Sequence, residues 1–459
     1  MKSVVILSVL MVFWGVTVDA QTNQLAIEDV QALSTDESVF IRNVSSQLVD
    51  LTGWSLTVQR PGFGRPVVYA FPDGCIVPGR GELTIHSGPA NVNGHDEGCG
   101  SLNVKLFWQA AFTLPNDAGI IRLLTAEQLI ESEFQYPPLY TEEDVRFGHD
   151  GVVFAGTLTV PNMEGRHPAV VLVSGSGPQD RDSDFFGFKS FRVIADHLSK
   201  NGFVVLRYDD RGVGGSSSVW FEASLDDRVT DVMSAIGFLK QHPSVDRRQI
   251  GIVGHSEGGV VGPMVAAQSS DVAFMVMIAG VGTTGAQILI EQSELLMRAA
   301  GATEEAIATQ LEILDLVLLA IRTDDQEDWA NLRRRLQDAG VPNADQQIFL
   351  YQTPWFRSFV AYDPQPYLEK IQIPVLSIFG SLDLQVPHES NQAGMETGFE
   401  AAGNTEVTYH LFERANHLFQ LANTGSVQEY STLPKRFIDG FLDLILDWLY
   451  EYAEVVPTP

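Results

Sequence analysis

The residues best suited to chemistry lie in a short run flanked by glycines, Gly254-His255-Ser256-Glu257-Gly258, which fits the pattern G-x-S-x-G. The apolar run 250–253 before it predicts a strand, and the residues after it predict a helix. In such a strand-to-helix turn a serine hydroxyl stands clear of the backbone, and the helix N-terminus favours developing negative charge. Ser256 is therefore the candidate nucleophile, and we interpret its neighbour His255 as a packing residue.

A serine hydroxyl is a weak nucleophile until a base takes its proton, and that base is usually a histidine oriented by a carboxylate. His417 follows the predicted strand 407–411, and Asp383 follows the predicted strand 375–379. The carboxyl ends of parallel strands meet at one edge of a sheet, so we expect these side chains to lie near Ser256. Other carboxylates stand close to Asp383 in sequence: Asp363, Glu369 and Glu389. Asp383 is preferred because it follows a strand directly.

Attack on a carbonyl also requires donors for the oxyanion, and two segments can supply them. The backbone N–H of Glu257, directly after the serine, is the first donor. A glycine-rich loop follows the predicted strand 169–173, and within it Ser176 is the first candidate for the second donor and Gly177 the next. The loop lacks the Gly-Lys-Ser/Thr ending of a phosphate-binding loop. Chemistry of this type needs no metal and no cofactor.

From residue 146 to residue 452, fully apolar strands alternate with helical stretches, which predicts a parallel sheet covered on both faces. Residues 286–352 interrupt this alternation with helical sequence, which we interpret as part of an inserted cap over about 284–368. Within the helix after Ser256, Pro263 predicts a kink. Trp355 and Phe356 either line a pocket under the cap or pack in its core, and we favour the core.

The first part of the chain has a different pattern. Residues 21–130 contain short alternating strands separated by turn signals, which predicts an all-β sandwich. The chain's two cysteines, Cys75 and Cys99, both fall there and predict a disulfide, with two buried free thiols as the alternative. Residues 131–145 contain two adjacent prolines and are predicted to be a linker.

Residues 1–20 have a short basic start, an apolar stretch and a small-residue cleavage pattern, which predicts a secretory signal peptide. The alternative is an uncleaved anchor helix, but the apolar stretch is short for a membrane span. No later run of 18 apolar residues occurs, so no membrane span is expected after cleavage. The expected location is either outside the cell, as a secreted protein, or the periplasm and cell envelope. A net charge of −29 argues against nucleic acid as a partner.

Several segments of the N-terminal region, in order, resemble a lamin-tail domain: 39–43, 49–56, 69–72, 76–79 and 114–119. Domains of that family are immunoglobulin-like sandwiches. The resemblance implies a module that binds a surface ligand or attaches the protein, and it implies no chemistry of its own.

The second region resembles α/β-hydrolases, and more narrowly a group of bacterial esterases related to serine aminopeptidases of the S33 type. The matching segments are 175–182, 209–212, 254–259, 362–364, 383–387 and 416–417. The resemblance implies an α/β-hydrolase fold with a helical cap and an exported enzyme that hydrolyses carboxylic esters of small acyl groups. Related members are peptidases, so amide substrates stay open.

Two alternatives remain at this stage. An aminopeptidase or acyl-peptide hydrolase on the same fold would need an acidic anchor for the substrate's ammonium group, and Glu291 and Glu294 in the cap are available. A surface-attachment or binding protein with an inactive hydrolase domain is the alternative from another class. The partner of the enzyme would be a small ester or peptide.

Overall fold

The computed structural model divides the chain into two units, Met1–Pro138 and Leu139–Pro459. The residues it describes are 24–31, 38–59, 66–87, 103–108, 119–136 and 138–453. The predicted signal peptide and Cys99 lie outside these residues, so the disulfide and the cleavage site stay predictions. Among the described helices, none is both long and apolar enough to cross a membrane.

The described residues of the first unit form short strands. They are β1 Leu25–Gln31, β2 Ser38–Asn43, β3 Val49–Asp50, β4 Ser55–Gln59, β5 Val67–Ala70, β6 Ile76–Val77, β7 Glu82–Ser87, β8 Asn103–Trp108, β9 Gly119–Leu124 and β10 Ile130–Tyr136. Two four-stranded sheets have the orders β1-β2-β7-β8 and β10-β9-β4-β5. Strand β9 alternates buried and half-buried residues, as a strand with one face in a core does. Cys75 is fully buried.

The described residues of the second unit, 139–453, form ten strands and eleven α-helices. The strands are β11 Tyr140–His149, β12 Val152–Pro161, β13 His167–Val173, β14 Asp184–Phe185, β15 Phe188–Lys189, β16 Val204–Tyr208, β17 Val245–His255, β18 Phe274–Ile278, β19 Val375–Gly380 and β20 Val407–Phe412. The helices are α1 Ser190–Lys200, α2 Leu225–Leu239, α3 Gly258–Ala266, α4 Gly285–Ala299, α5 Glu304–Thr323, α6 Gln326–Asp338, α7 Ala344–Gln352, α8 Pro354–Val360, α9 Gln365–Leu368, α10 His388–Ala402 and α11 Phe441–Tyr452.

The structure differs from the predicted linker over residues 131–145. Strand β10 occupies its first part and pairs with β9, whereas β11 begins at Tyr140 and pairs with β12 along its whole length. Most of β11 is exposed or half-buried, as expected for the edge strand of a sheet. Pro138, one of the two prolines on which the linker prediction rests, lies in the chain between these two strands, where the first unit ends.

Eight strands form the sheet of the second unit, in the order β11-β12-β16-β13-β17-β18-β19-β20. The pairings from β16 to β20 are parallel, and β11 and β12 are antiparallel at one edge. Every residue of β13, β16, β18 and β19 is buried, which requires cover on both faces. This is the arrangement of an α/β-hydrolase, and it brings the carboxyl ends of β17, β19 and β20 to one edge.

Six helices, α4 to α9, lie between β18 and β19 and form the inserted cap. Part of the cap has a core of its own, built around Val317, Leu332, Ile348 and Phe356. The cap enters and leaves through a neck, where the backbone N–H of Gly285 donates to the carbonyl of Tyr362 at 2.9 Å. A Cβ at Gly285 would lie only 1.6 Å from the carbonyl oxygen of Phe359, so the close approach at the neck requires glycine.

Candidate active site

Ser256 lies in the turn between β17 and α3, at the carboxyl edge of the sheet. Its φ is +55°, a left-handed conformation that non-glycine residues rarely adopt. The backbone N–H of Ser256 donates to the carbonyl of Ile278 at 2.9 Å, which fixes the turn to the next strand. A strained serine held by its surroundings is the local geometry expected of a nucleophile at a strand-to-helix turn.

The two glycines that flank this turn are required by space. A Cβ at Gly254 would lie 2.2 Å from the carbonyl oxygen of Gly258, and a Cβ at Gly258 would lie 2.1 Å from that of Val173. Both contacts are with backbone atoms, which cannot move without displacing the sheet. The pattern G-x-S-x-G thus follows from the close approach of the strand, the helix and the neighbouring strand β13.

His417 and Asp383 are brought together as predicted. His417 Nδ1 lies 2.8 Å from Asp383 Oδ2, and the side chain of Asp383 is fully buried. The other carboxylate oxygen of Asp383 accepts hydrogen bonds from the backbone N–H groups of Gln385 and Val386, at 2.8 and 2.9 Å. Because the backbone holds this carboxylate, it can orient the imidazole and leave the second ring nitrogen for chemistry.

His255 does more than the packing we predicted. Its Nε2 lies 2.9 Å from the backbone carbonyl of His417, which can only accept, so the ring nitrogen donates. Burial, followed by the nearby charge of His417, lowers the pKa of His255 to about 3. The neutral imidazole of His255 therefore joins the loop of His417 to the turn that carries Ser256 through this hydrogen bond.

The glycine-rich loop after β13 lies directly against Ser256. A Cβ at Gly175 would be 3.2 Å from the Cβ of Ser256. Ser176 donates its hydroxyl to the carboxylate of Glu257 at 2.9 Å, which joins the two segments that were predicted to supply the oxyanion donors. Gly177 has a φ of +88° and turns the chain at this point.

Ser256 and His417 open into one cavity of about 390 Å³. The predicted oxyanion residues Ser176 and Glu257 also line it, whereas Gly177 does not belong to its lining. The cap contributes an apolar wall made of Ile288, Leu289, Trp355, Phe356 and Phe359. Phe356 also belongs to the core of the cap and Trp355 packs against that core, so both residues combine the two roles that the sequence left open.

A buried cluster of charged and polar side chains lies next to Ser256, and the sequence analysis did not predict it. Glu257 Oε1 lies 3.1 Å from Arg228 Nη1, at ion-pair distance although not aligned as a hydrogen bond. Glu257 Oε2 accepts from the indole N–H of Trp355 at 2.8 Å. Arg228 also lies 3.3 Å from Asp210 Oδ1 and donates to Ser174 at the same distance. The cluster connects the turn at Ser256, the glycine-rich loop after β13 and the cap.

Arg228 supplies the only cation among the side chains of this cluster, so it compensates two buried carboxylates. Burial raises the pKa of Asp210 to about 6, although Arg228 and the hydroxyl of Ser174 act in the opposite direction. Burial alone would lower the pKa of Arg228, but Glu257 and Asp210 together raise it. Glu257 and Asp210 therefore stabilise the charged form of Arg228, and Arg228 in turn offsets their negative charge.

Arg228→Met is expected to destabilise the protein by about 3–5 kcal/mol, because it leaves two buried carboxylates without their cation. The matched control is Arg248→Met, since the side chain of Arg248 is 82% exposed and its loss should cost no more than about 0.5 kcal/mol. Denaturant midpoints followed by circular dichroism would compare the two variants. Equal midpoints would show that Arg228 has no such role.

The acidic anchors that an aminopeptidase would need are engaged elsewhere. Glu291 accepts hydrogen bonds from Gln287 and from the hydroxyl of Ser390, and Glu294 pairs with Arg298. Neither carboxylate belongs to the described lining of the cavity. The alternative carboxylate Asp363 is exposed and accepts a hydrogen bond from the backbone N–H of Gln365.

Comparison with known proteins finds similarity to an esterase and to a peptidase. The chain is 27% identical to the esterase EstD of Thermotoga maritima over 356 residues, which covers 74% of this chain and 78% of that protein. It is 26% identical over 171 residues to dipeptidyl-peptidase 5 of Porphyromonas gingivalis, 34% of this chain and 24% of that one. Among solved structures, a Pyrococcus furiosus esterase aligns with a TM-score of 0.44 at 17% identity and covers 68% of this chain and 92% of its own.

The family comparison covers the segments that carry Ser256, Asp383 and His417, but not the glycine-rich loop with Ser176. The model described as serine aminopeptidase, S33, matches residues 188–421, which is 234 of the 459 residues. That span contains the nucleophile turn, the cap and the two loops that carry Asp383 and His417. The chain therefore belongs to the serine aminopeptidase S33 family, and it is a serine hydrolase.

Proposed function

We propose that this protein is a carboxylesterase that hydrolyses esters of small acyl groups, with Ser256 as nucleophile, His417 as base and Asp383 as the residue that orients His417. The observation that carries the proposal is the 2.8 Å contact between His417 Nδ1 and the buried Asp383, in a cavity that also contains the strained Ser256. The similarity to the esterase EstD supports an ester as the substrate.

In the proposed reaction Ser256 Oγ attacks the ester carbonyl carbon while His417 Nε2 takes the hydroxyl proton. The backbone N–H groups of Glu257 and Ser176 hold the negative oxygen of the tetrahedral intermediate. When the intermediate collapses, the carbon–oxygen bond to the alcohol breaks and His417 returns the proton to the departing oxygen. Water, deprotonated by the same histidine, then releases the acid and regenerates Ser256.

The cavity lining favours esters over N-terminal peptide residues. Glu257 is the only acidic side chain among the described residues that line it, and its carboxylate is already engaged by Arg228, Ser176 and Trp355. A substrate ammonium group would therefore find no available carboxylate beside Ser256. An aminopeptidase remains the second candidate because the family description and the dipeptidyl-peptidase relative name peptidases.

The proposal includes export, to the periplasm or beyond the cell, on the strength of the predicted signal peptide at residues 1–20. The N-terminal unit would then act as a lamin-tail-like module that binds a surface ligand. The third candidate, a binding protein with an inactive hydrolase domain, has to account for a buried Asp383–His417 pair and a strained serine that serve no purpose in binding.

The test uses residues 21–459 and its Ser256→Ala variant, each treated with a fluorophosphonate probe. We expect one label per chain on Ser256 of the parent and no label on the variant. Turnover of p-nitrophenyl acetate, butyrate and octanoate should fall as the acyl chain lengthens, and an aminoacyl p-nitroanilide should turn over far more slowly. Absence of labelling and turnover in the folded parent would contradict the proposal, whereas faster anilide hydrolysis would favour the aminopeptidase.

A further inference from the structure

A small hairpin at the mouth of the cavity has an unusual turn. Strands β14 and β15 pair through Phe185 and Phe188, and the two residues between them both have positive φ, +55° for Phe186 and +85° for Gly187. Glycine accepts such a conformation readily, but a bulky side chain with positive φ is strained. A phenylalanine at this position therefore has a conformational cost that a glycine would not have.

The ring of Phe186 is also exposed, by 58%, and it lines the cavity that contains Ser256 and His417. Val427, which begins a short 3-10 helix after the His417 loop, is 40% exposed and lines the same cavity. We call these two side chains the apolar lip. Large apolar groups exposed at the mouth of a site mark a surface that meets an apolar ligand.

The hairpin holds Phe186 in a fixed position. Phe188 is buried and its ring meets that of Phe437 at 4.9 Å. Asp182, just before the hairpin, accepts from Arg207 at 3.0 Å, and Asp184 closes the turn by accepting from the backbone N–H of Gly187 at 2.7 Å. The ring of Phe186 is thus presented to the cavity mouth on a pre-organised support.

The same contacts connect the hairpin with the loop that carries His417. Ile438, next to the Phe437 that packs on the hairpin, donates its backbone N–H to the carbonyl of Phe419, two residues after His417. Val427 belongs to the segment that follows this loop. The cap side chains Ile288 and Phe359 supply a different part of the lining. The cavity therefore has an apolar wall from the cap and an apolar lip on the His417 side.

The two apolar regions can be assigned to the two halves of an ester. His417 must return its proton to the oxygen of the departing alcohol, so the alcohol lies on the His417 side and the acyl group extends away from it. We propose that the apolar lip binds the alkyl or aryl portion of the alcohol, which makes esters of small acids with larger apolar alcohols the preferred substrate class. This inference rests on the proposed esterase function.

Phe186→Gly tests the assignment with a pair of isomeric esters, hexyl acetate and ethyl hexanoate, followed by pH-stat titration. The two substrates carry the same apolar surface, on the alcohol in the first and on the acyl group in the second. We expect kcat/KM to fall about tenfold for hexyl acetate and to change less than about twofold for ethyl hexanoate. The thermal midpoint should not fall, because glycine relieves the strained turn.

Phe349→Ala is the matched control, since Phe349 is also 58% exposed but does not line the cavity. It should leave both substrates unchanged. Equal loss on the two esters in Phe186→Gly, or no loss on either, would overturn the assignment of the lip to the alcohol. Failure of the esterase proposal itself would appear differently, as absence of turnover in the parent protein.

Discussion

His417→Ala is expected to lower kcat for ester hydrolysis by about a million-fold, the loss found when a catalytic histidine is removed from a serine hydrolase. Without the imidazole, Ser256 keeps its proton and the departing alcohol receives none. The backbone donors beside Ser256 remain, so a small residual rate above that of water should persist. His417 contributes its backbone carbonyl to the contact with His255, and alanine preserves that carbonyl.

The control for this variant is His410→Ala, in strand β20. His410 is half-buried, packs against Phe412 at 4.5 Å and does not line the cavity. Initial rates on p-nitrophenyl acetate, with circular dichroism to confirm folding, would compare the two. Retention of more than about one hundredth of the parent rate in folded His417→Ala would exclude its role as the base.

Asp383→Asn is expected to lower kcat by about ten-thousand-fold while the fold is preserved. The amide keeps one oxygen for the backbone N–H groups of Gln385 and Val386, so its NH₂ group faces His417. An NH₂ group cannot accept from Nδ1–H, and the imidazole then adopts the tautomer that carries its proton towards Ser256. His417 is still present, but the ring nitrogen that should accept the proton of Ser256 already carries one.

Asp363→Asn is the matched substitution, because Asp363 is exposed and is the other aspartate among the sequence candidates. It should leave kcat unchanged. The rate of fluorophosphonate labelling should follow kcat in both variants, since both report the nucleophilicity of Ser256. If Asp363→Asn were the slow variant and Asp383→Asn the normal one, the assignment of the orienting carboxylate would be wrong.

The parts of the site that follow from local sequence could be predicted. Strands such as β13 and β19 are apolar at nearly every position, and the turn at Ser256 needs glycines at fixed spacing, so pattern alone locates them. The pairing of His417 with Asp383 also followed, because each comes directly after a strand of one parallel sheet.

The parts that depend on tertiary contact could not be predicted. Strand β11 is polar and exposed, and only its pairing with β12 makes it a strand. The contact between Trp355 and Glu257 joins residues 98 positions apart. Arg228 did leave a signal, since it stands on the buried stripe of α2 between Leu225 and Val232, where an arginine needs a buried partner.

The neck at Gly285 and Tyr362 has a consequence for how this enzyme can diversify. The backbone hydrogen bond from Gly285 to Tyr362 joins the start of the inserted chain to a residue near its end. The entropic free-energy cost of closing a flexible loop rises only with the logarithm of its length, by about 0.6 kcal/mol for each doubling. The cap can therefore lengthen or shorten between these two points at little entropic cost, provided that Trp355 keeps its hydrogen bond to Glu257. Substrate range can then evolve as a module, while the strand ends that carry Ser256, Asp383 and His417 keep their spacing.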